Sequence, residues 1–471
     1  MKSPIKEQLD PIFKPESVAL IGASNNPGKW GGMVMASLLG SRYRGRLYPV
    51  NPRESLIMGI KAYPDVAEIP EPVDLAVFTV PAVHVPKAMQ SCVDKGVKGC
   101  VVISADFAET GEKGRALEEE TVRIARSGGI RFVGPNGNGI FSTESGLSLT
   151  PFTPSQPGGL AFVSQSGNFG GQLSMMAMQR GIGLSKFVAM GNQADLQIAD
   201  YLDYFAWDPQ TKVIAVYMEG FKSGRRFFEA ARETVKQKPV LILKGGVSDV
   251  GARATLSHTA SIAGEDKIFE GLCRQAGLIR VRQLEHMVIM AQALMGLPLP
   301  KGNRIAVIGN GGQAVSIIDN LSALGLAVPE FKPEDKMRLK ALMPPHAPIP
   351  NNPIDYAAGE MGLMEEVAVM ETLASLDYID GIITNVPREF VLARGSRAER
   401  KIEAIRGIER WCQIVTERKI PIITNRMMVS PLISGFLKKA GIPSYDSSEQ
   451  SALAMSALAA YGQIRKSLSL G

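Results

Sequence analysis

Three times in this 471-residue chain a short apolar run breaks into glycines and passes into a helical pattern. Ser17-Val18-Ala19-Leu20-Ile21 leads into Gly22-Ala23-Ser24-Asn25-Asn26-Pro27-Gly28-Lys29-Trp30-Gly31-Gly32. Leu160-Ala161-Phe162-Val163 leads into Ser164-Gln165-Ser166-Gly167-Asn168-Phe169-Gly170-Gly171, and Arg304-Ile305-Ala306-Val307-Ile308 into Gly309-Asn310-Gly311-Gly312-Gln313-Ala314. A buried strand that turns through glycine into a helix opens a βα unit, and its neighbours are then parallel strands reached by crossover helices.

Further runs extend the pattern: Arg46–Val50, Leu75–Val80, Gly99–Ser104 and Arg131–Asn136 in the first segment, Val213–Tyr217 and Pro239–Leu243 in the second, Gly381–Val386, Ile420–Thr424 and Gly441–Tyr445 in the third. Gly114 to Ser127, with Leu117, Val122 and Ile124 among charges, reads as an amphipathic helix. A Pro/Ser/Thr-rich bridge at 149–159 and Leu297-Pro298-Leu299-Pro300-Lys301-Gly302 mark the breaks. A chain this long exceeds a single core. The expectation is α/β: three consecutive Rossmann-like or flavodoxin-like domains with mostly parallel sheets, at 1–148, 149–299 and 300–471.

The 52 Lys+Arg against 46 Asp+Glu leave a formal charge of +6 with no block of like charges, which argues against nucleic acid as a partner. No run approaches the ~18 apolar residues of a membrane helix, and the N-terminus lacks an apolar signal core. Cys92, Cys100, Cys273 and Cys412 lack metal spacing and sit in or near apolar runs. They read as free thiols in a reducing, cytoplasmic protein, with no metal site.

Glycines let backbone approach a phosphate, and a helix N-terminus offers unpaired N–H groups and partial positive charge. The first turn misses the P-loop spacing, since five residues separate Gly22 from Gly28 and Trp30 stands where a metal-binding hydroxyl belongs. It also misses the NAD pattern: the second strand ends in Asn51-Pro52-Arg53, where a ribose-binding acid belongs, and Arg53 suits a phosphorylated ribose instead. In the second turn Ser164 occupies a position where a nucleophile elbow needs glycine, so Ser166 reads as part of an anion pocket or as a simple N-cap.

Ser257-His258-Thr259-Ala260 follows a stretch of small residues, so His258 is an imidazole on an open loop, able to carry a transferable group or merely a surface histidine. Glu219, in Met218-Glu219-Gly220, directly follows a strand and could orient that imidazole or cap the next helix. His84, His286 and His346 have no comparable setting.

Taken in order, the Gly22–Gly32 turn, Tyr48-Pro49-Val50-Asn51-Pro52, Thr79-Val80-Pro81-Ala82, Gly134-Pro135-Asn136, Val163-Ser164-Gln165-Ser166-Gly167, Gly191-Asn192-Gln193-Ala194-Asp195, Met218-Glu219-Gly220 and Ser257-His258-Thr259 resemble the NDP-forming acyl-CoA synthetases. These are relatives of succinyl-CoA synthetase, and the likeness is to the CoA-binding α part. The resemblance implies that acyl-CoA and phosphate give an acyl phosphate and CoA, after which the phosphoryl group passes to His258, steadied by Glu219, and then to ADP or GDP. CoA would lie on Gly22, Ser24, Lys29, Asn51, Arg53, Val80, Pro81 and Ser104, while Ser166, Gly167, Gly311 and Gly312 would line a phosphate site. It also implies a separate ATP-grasp β subunit holding ADP/ATP or GDP/GTP with Mg2+, in an α2β2 assembly acting on a small carboxylic acid.

The chain departs from the family pattern at Val247, usually arginine; Ala260, often glycine; Gly137, commonly cysteine; and Ala314, usually glycine. Those departures keep a rival open, a CoA-binding regulatory module without ligase activity. An NAD(P)-dependent oxidoreductase fits less well, because it leaves the second and third segments unexplained.

Overall fold

The computed structural model describes residues 4–152, 156–248, 250–251, 266–309, 311–356, 361–385, 397–425 and 431–469. The chain divides into two compact units, 1–287 and 288–471.

In the first unit β1 (Ser17–Ile21) and β2 (Arg46–Val50) are followed by a small hairpin, β3 (Leu56–Ile57) with β4 (Ile60–Lys61), and then by β5 (Leu75–Phe78), β6 (Gly99–Val102) and β7 (Arg131–Val133). The five longer strands form a parallel sheet in the order β2-β1-β5-β6-β7. Its strands are buried along their apolar runs, as a sheet covered on both faces requires. The order reverses between β1 and β5, so the crevice outside their carboxyl ends is where such a sheet binds ligands.

A second sheet follows, built of β8 (Ile140–Ser142), β9 (Leu147–Ser148), β10 (Pro157–Ser164), β11 (Leu184–Ala189), β12 (Val213–Met218), β13 (Val240–Lys244) and β14 (Ile279–Val281). Its order is β14-β13-β12-β10-β11-β8-β9, parallel except where β8 pairs with β11 and β9 with β8. The hairpin at 140–148 thus adds to this sheet, although those residues precede the sequence-drawn break at 148/149. Strands of three and two residues carry too little periodicity to announce which sheet they join. The strand β11 also escapes a sequence reading, because Lys186 in its middle looks like a surface residue. Lys186 is instead fully buried and donates to Asp208 at 2.8 Å and Glu144 at 3.2 Å.

The second unit holds β15 (Ile305–Val307), β16 (Gly381–Asn385), β17 (Ile422–Asn425) and β18 (Ser444–Tyr445) in that spatial order, all parallel. Helices Leu363–Ala374, Arg397–Arg418 and Pro431–Lys439 contribute to a core that includes Trp411, Leu363, Val369, Ile382 and Ile422. The chain is therefore α/β, with three mostly parallel sheets one after another along the sequence.

Candidate functional site

The first glycine turn begins where β1 runs out. Gly22 takes a left-handed φ of +92°, and a Cβ there would lie 2.8 Å from Thr79 Oγ1 and 2.9 Å from Val80 Cγ1. The turn is thus pressed onto the end of β5. The helix that follows, Trp30–Gly40, approaches the loop so closely that a side chain on Gly31 would collide with the Gly22 carbonyl oxygen. Asn51, at the end of β2, fastens the loop from the other side: Nδ2 donates to Ala23 O at 2.8 Å, and Oδ1 accepts from the amides of Arg53 and Glu54 at 2.8 and 3.2 Å. Its amide is occupied in shaping the cradle. Ser24 Oγ accepts from Asn26 N at 3.1 Å, and Ser104 Oγ donates to Val80 O at 2.5 Å.

Gly22, Ser24, Asn51, Val80 and Ser104 therefore meet at the carboxyl edge of one sheet. Lys29, Arg53 and Pro81 are exposed beside it. Lys29 is the N-cap of the Trp30–Gly40 helix and makes no side-chain capping bond. Two exposed cations beside a glycine cradle and a helix N-terminus suit a ligand with several phosphates, and CoA is such a ligand.

The second turn is built around Gln165. Its Oε1 accepts from the backbone N–H of Glu219 and from that of Gly220, the latter at 3.0 Å. This ties the turn after β12 to the turn after β10. Ser164 Oγ donates to Ser166 O at 2.6 Å, so Ser166 leads the helix Gly167–Gln179 without a side-chain cap of its own. Asn138 packs where a Cβ on Gly167 would stand, which explains glycine there. Glu219 is 7% exposed; its Oε1 accepts from Tyr217 OH at 3.2 Å. Its Oε2 is buried with no hydrogen-bond partner among the described residues. Burial and the Glu219 carboxylate hold the Tyr217 phenol well above its ordinary value, so it stays a donor.

The chain leaves β13 beside this carboxylate. Gly245 N donates to Met218 O at 2.8 Å, and a Cβ on Gly245 would lie 2.6 Å from Tyr217 OH and 3.4 Å from Glu219 Cγ. Lys244, just before, is buried, and burial draws its ammonium below the usual lysine value. His258 and Ala260 lie outside the described residues. Of the described residues that precede them, Gly245 lies against Glu219.

Gly311 and Gly312 lie in the other unit, at the start of the helix Gly311–Ala323. Gly311 N donates to Asp355 Oδ2 at 3.1 Å, so a carboxylate already meets that helix end. Ala314 is buried in the first turn of the helix.

A cavity of about 700 Å³ in the first unit is lined by residues of the helix Glu112–Ser127 and of the turns 192–194 and 220–222; it includes motif residues Asn192, Gln193, Ala194 and Gly220 but none of the residues expected to bind CoA or phosphate or to carry the catalysis. The Gly191–Asp195 motif, part of that lining, stitches the first two sheets together. Asn192 N donates to Pro135 O at 2.9 Å, and Asp195 Oδ2 accepts from Phe132 N at 3.1 Å and Arg131 Nε at 2.8 Å. Gln165 is the site residue that sequence reasoning passed over. Its place directly after a buried strand, the logic that singled out Glu219, was the available signal.

Two family models cover most of the first unit: a CoA binding domain over residues 16–142 and a succinyl-CoA ligase-like flavodoxin domain over residues 157–294. A cradle for a polyphosphate ligand followed by a ligase-type flavodoxin sheet defines a CoA-dependent acid–thiol ligase. At the level of whole chains, an alpha subunit of ADP-forming acetate–CoA ligase II from Pyrococcus furiosus is 38% identical over 454 residues, covering 96% of this chain and 97% of that one. The chain belongs to the ADP-forming acyl-CoA ligase family, on its α-subunit side. An ADP-forming acetate–CoA ligase II from Archaeoglobus fulgidus is 40% identical over 354 residues, and only 52% of its length is matched. A structure of the dinucleotide-forming acetyl-coenzyme A synthetase 1 of Ca. Korarchaeum cryptofilum, in complex with phosphate and ADP, superposes with a TM-score of 0.86 at 34% identity, covering 98% of this chain and 99% of that one.

Among the described residues no helix is long and apolar enough to cross a membrane.

Proposed function

We propose that this chain is the CoA-binding, phosphohistidine-bearing subunit of a cytoplasmic NDP-forming acyl-CoA synthetase, working with a nucleotide-grasping partner in an α2β2 assembly. The observation that carries the reading is the Glu219 carboxylate. One oxygen is fixed by Tyr217, the other is unpartnered among the described residues, and the side chain lies against Gly245, after which the chain runs on toward His258. A buried carboxylate with a free oxygen suits an imidazole N–H, which would fix the tautomer and leave the other ring nitrogen as nucleophile.

In the thioester-consuming direction, a phosphate oxygen attacks the acyl carbonyl and the C–S bond breaks, giving acyl phosphate and CoA thiolate. The ring nitrogen of His258 then attacks phosphorus, and the carboxylate of the product acid leaves. Phosphohistidine finally passes its phosphoryl group to ADP or GDP, held with Mg2+ on the partner, and the imidazole is restored. Glu219 would stabilise the cationic ring during each transfer. The Ser166–Gly167 helix start would receive phosphoryl oxygens, and by the resemblance Gly311 and Gly312 would line a phosphate site as well. CoA would sit on Gly22, Ser24, Lys29, Arg53, Val80, Pro81 and Ser104, around the loop that Asn51 shapes.

That the Archaeoglobus relative is about twice the length matched supports a second chain supplying the remainder, an ATP-grasp β subunit by resemblance. The domain division at 1–148, 149–299 and 300–471 belongs to the same proposal, with the hairpin 140–148 lent to the second sheet.

The test mixes the purified chain with its ATP-grasp partner and γ-labelled ATP. Acid-labile, base-stable label on this chain, lost in His258→Ala, is expected. Absence of label with a partner shown to be active would overturn the relay and favour a CoA-binding regulatory module.

A further inference from the structure

The helix Glu112–Ser127 turns one face into the cavity of about 700 Å³ in the first unit: Arg115, Glu118, Glu119, Val122, Arg123 and Arg126 recur at helical spacing along that wall. The turns that follow β11 and β12, at 192–194 and 220–222, make the opposite wall. At 1.5 Å of rise per residue Arg115 and Arg126 stand about 16 Å apart, so the cavity is a long trough. Its volume falls within the roughly 300–1,000 Å³ of small-molecule sites.

The lining carries four cations against two carboxylates. Glu118 is already held, by Asn192 Nδ2 at 2.9 Å and by Lys222 Nζ at 3.6 Å. Arg126 gives one N–H to Asp195 at 3.3 Å and keeps the rest of its guanidinium exposed. Arg115 is exposed and makes no ion pair among the described residues, although Glu119 stands one turn further along the same helix. Lys222 lies at Glu118, one turn from Arg115, so these two cations share an end of the trough. Such a lining attracts an anion.

Two further residues ask for more than an anion. Phe221 lines the trough and is 38% exposed, while its ring stacks on Phe227 with centroids 5.3 Å apart. Gln193, also in the lining, is 3% exposed and takes a left-handed φ of +53°. Its Nε2 donates to Gly220 O at 3.3 Å, but its Oε1 is buried and has no partner among the described residues. A strained backbone and an unpaired acceptor both cost stability, and their meeting on one residue of a cavity wall marks a ligand site.

An open aromatic ring takes a flat apolar group, an unpaired carbonyl takes an N–H, and the cations take anionic oxygens. Inorganic phosphate or a carboxylic acid answers only the last of these. A nucleotide answers all three, through its base, the exocyclic N–H of that base and its phosphates.

We propose that this cavity binds a nucleoside phosphate, with the phosphates on Arg115 and Lys222 and the base on Phe221 and Gln193. The site is separate from the nucleotide assigned above to the partner, and it does not rest on the relay through His258.

The full chain alone, without a partner to hold nucleotide, is titrated with ADP and with pyrophosphate, in the absence and presence of saturating CoA to fill the Gly22 cradle. ADP should bind with CoA present. Arg115→Gln should weaken ADP and pyrophosphate alike by roughly 10-fold. Phe221→Leu should weaken ADP roughly 5-fold or more and leave pyrophosphate unchanged. Both side chains are exposed, so melting temperature and CoA affinity should stay at their wild-type values. No ADP binding, ADP displaced by CoA, or equal ADP affinity in wild type and Arg115→Gln would overturn the assignment. Pyrophosphate binding the wild type as tightly as ADP, a comparison that needs no variant, would overturn it in favour of a plain oxyanion trough. A chain that takes label on His258 yet binds no ADP alone would keep the relay and lose this site.

Discussion

Gln165→Met isolates the clamp on Glu219. Methionine fills nearly the same volume, so the packing change is small. What is lost is an oxygen that accepts from two backbone N–H groups, Glu219 N and Gly220 N. Glu219 is buried and Gly220 half-buried, so one donor is stranded and the other is partly reached by water. A stranded buried donor costs about 1–3 kcal/mol, and the pair should cost roughly 2–4 kcal/mol. For a unit of this size each kcal/mol moves the midpoint by roughly 2 °C, giving a fall of about 4–8 °C by calorimetry.

The functional readout separates positioning from general damage. With its turn released, Glu219 loses its fixed position, which the proposed relay through His258 requires. Label on His258 should then form roughly 10- to 100-fold more slowly, in proportion to the stranded bonds. CoA titration should be unchanged, since the Gly22 cradle is on another sheet. Gln165→Glu, which keeps an acceptor oxygen, should recover most of the midpoint. A midpoint within 1 °C of wild type together with a normal labelling rate would refute the reasoning.

Gly31→Ala drives a methyl into the Gly22 carbonyl and should abolish or strongly weaken CoA binding by titration while the labelling reaction from ATP persists. Lys186→Met strands Asp208 in the interior and should lower the stability of the first unit by about 3–5 kcal/mol in urea unfolding; loss under 1 kcal/mol would mean that water reaches the pair. Glu366 should make the second unit lose stability as pH rises. Burial raises its carboxyl from 4.5 to about 8, so the stabilisation is complete below 4.5 and gone above about 8. Glu366→Gln should flatten melting temperature against pH across that window, and an unchanged slope would show that another group titrates.

Much of the site was written locally. Glu219 was legible because a carboxylate directly after a buried strand has few structural reasons to be there, and the Gly22 turn because glycines between strand and helix are uneconomical unless something approaches closely. Gln165 was not legible as a clamp, since its partners are backbone amides 54 and 55 residues away. The sequence marks Asn51 as a ligand contact and does not show that its amide also meets Ala23, Arg53 and Glu54. An asparagine side chain can serve backbone or ligand equally well, and the spacing of a motif does not distinguish them. Lys186 hid a whole strand, because the pairing that permits a buried ammonium comes from Asp208 and Glu144, far from it in sequence.

By itself, then, the sequence determined the α/β class, the parallel strands and the three strand-to-helix turns, because hydrophobic period and glycine placement are local properties of the chain. Only the tertiary structure decided which sheet the 140–148 hairpin joins, which side chains hold Glu219, and that one face of the helix Glu112–Ser127 closes a cavity against the turns 192–194 and 220–222. Those outcomes depend on strand order and on which polar atoms find partners after folding, and both are set by contacts between residues that the sequence keeps far apart.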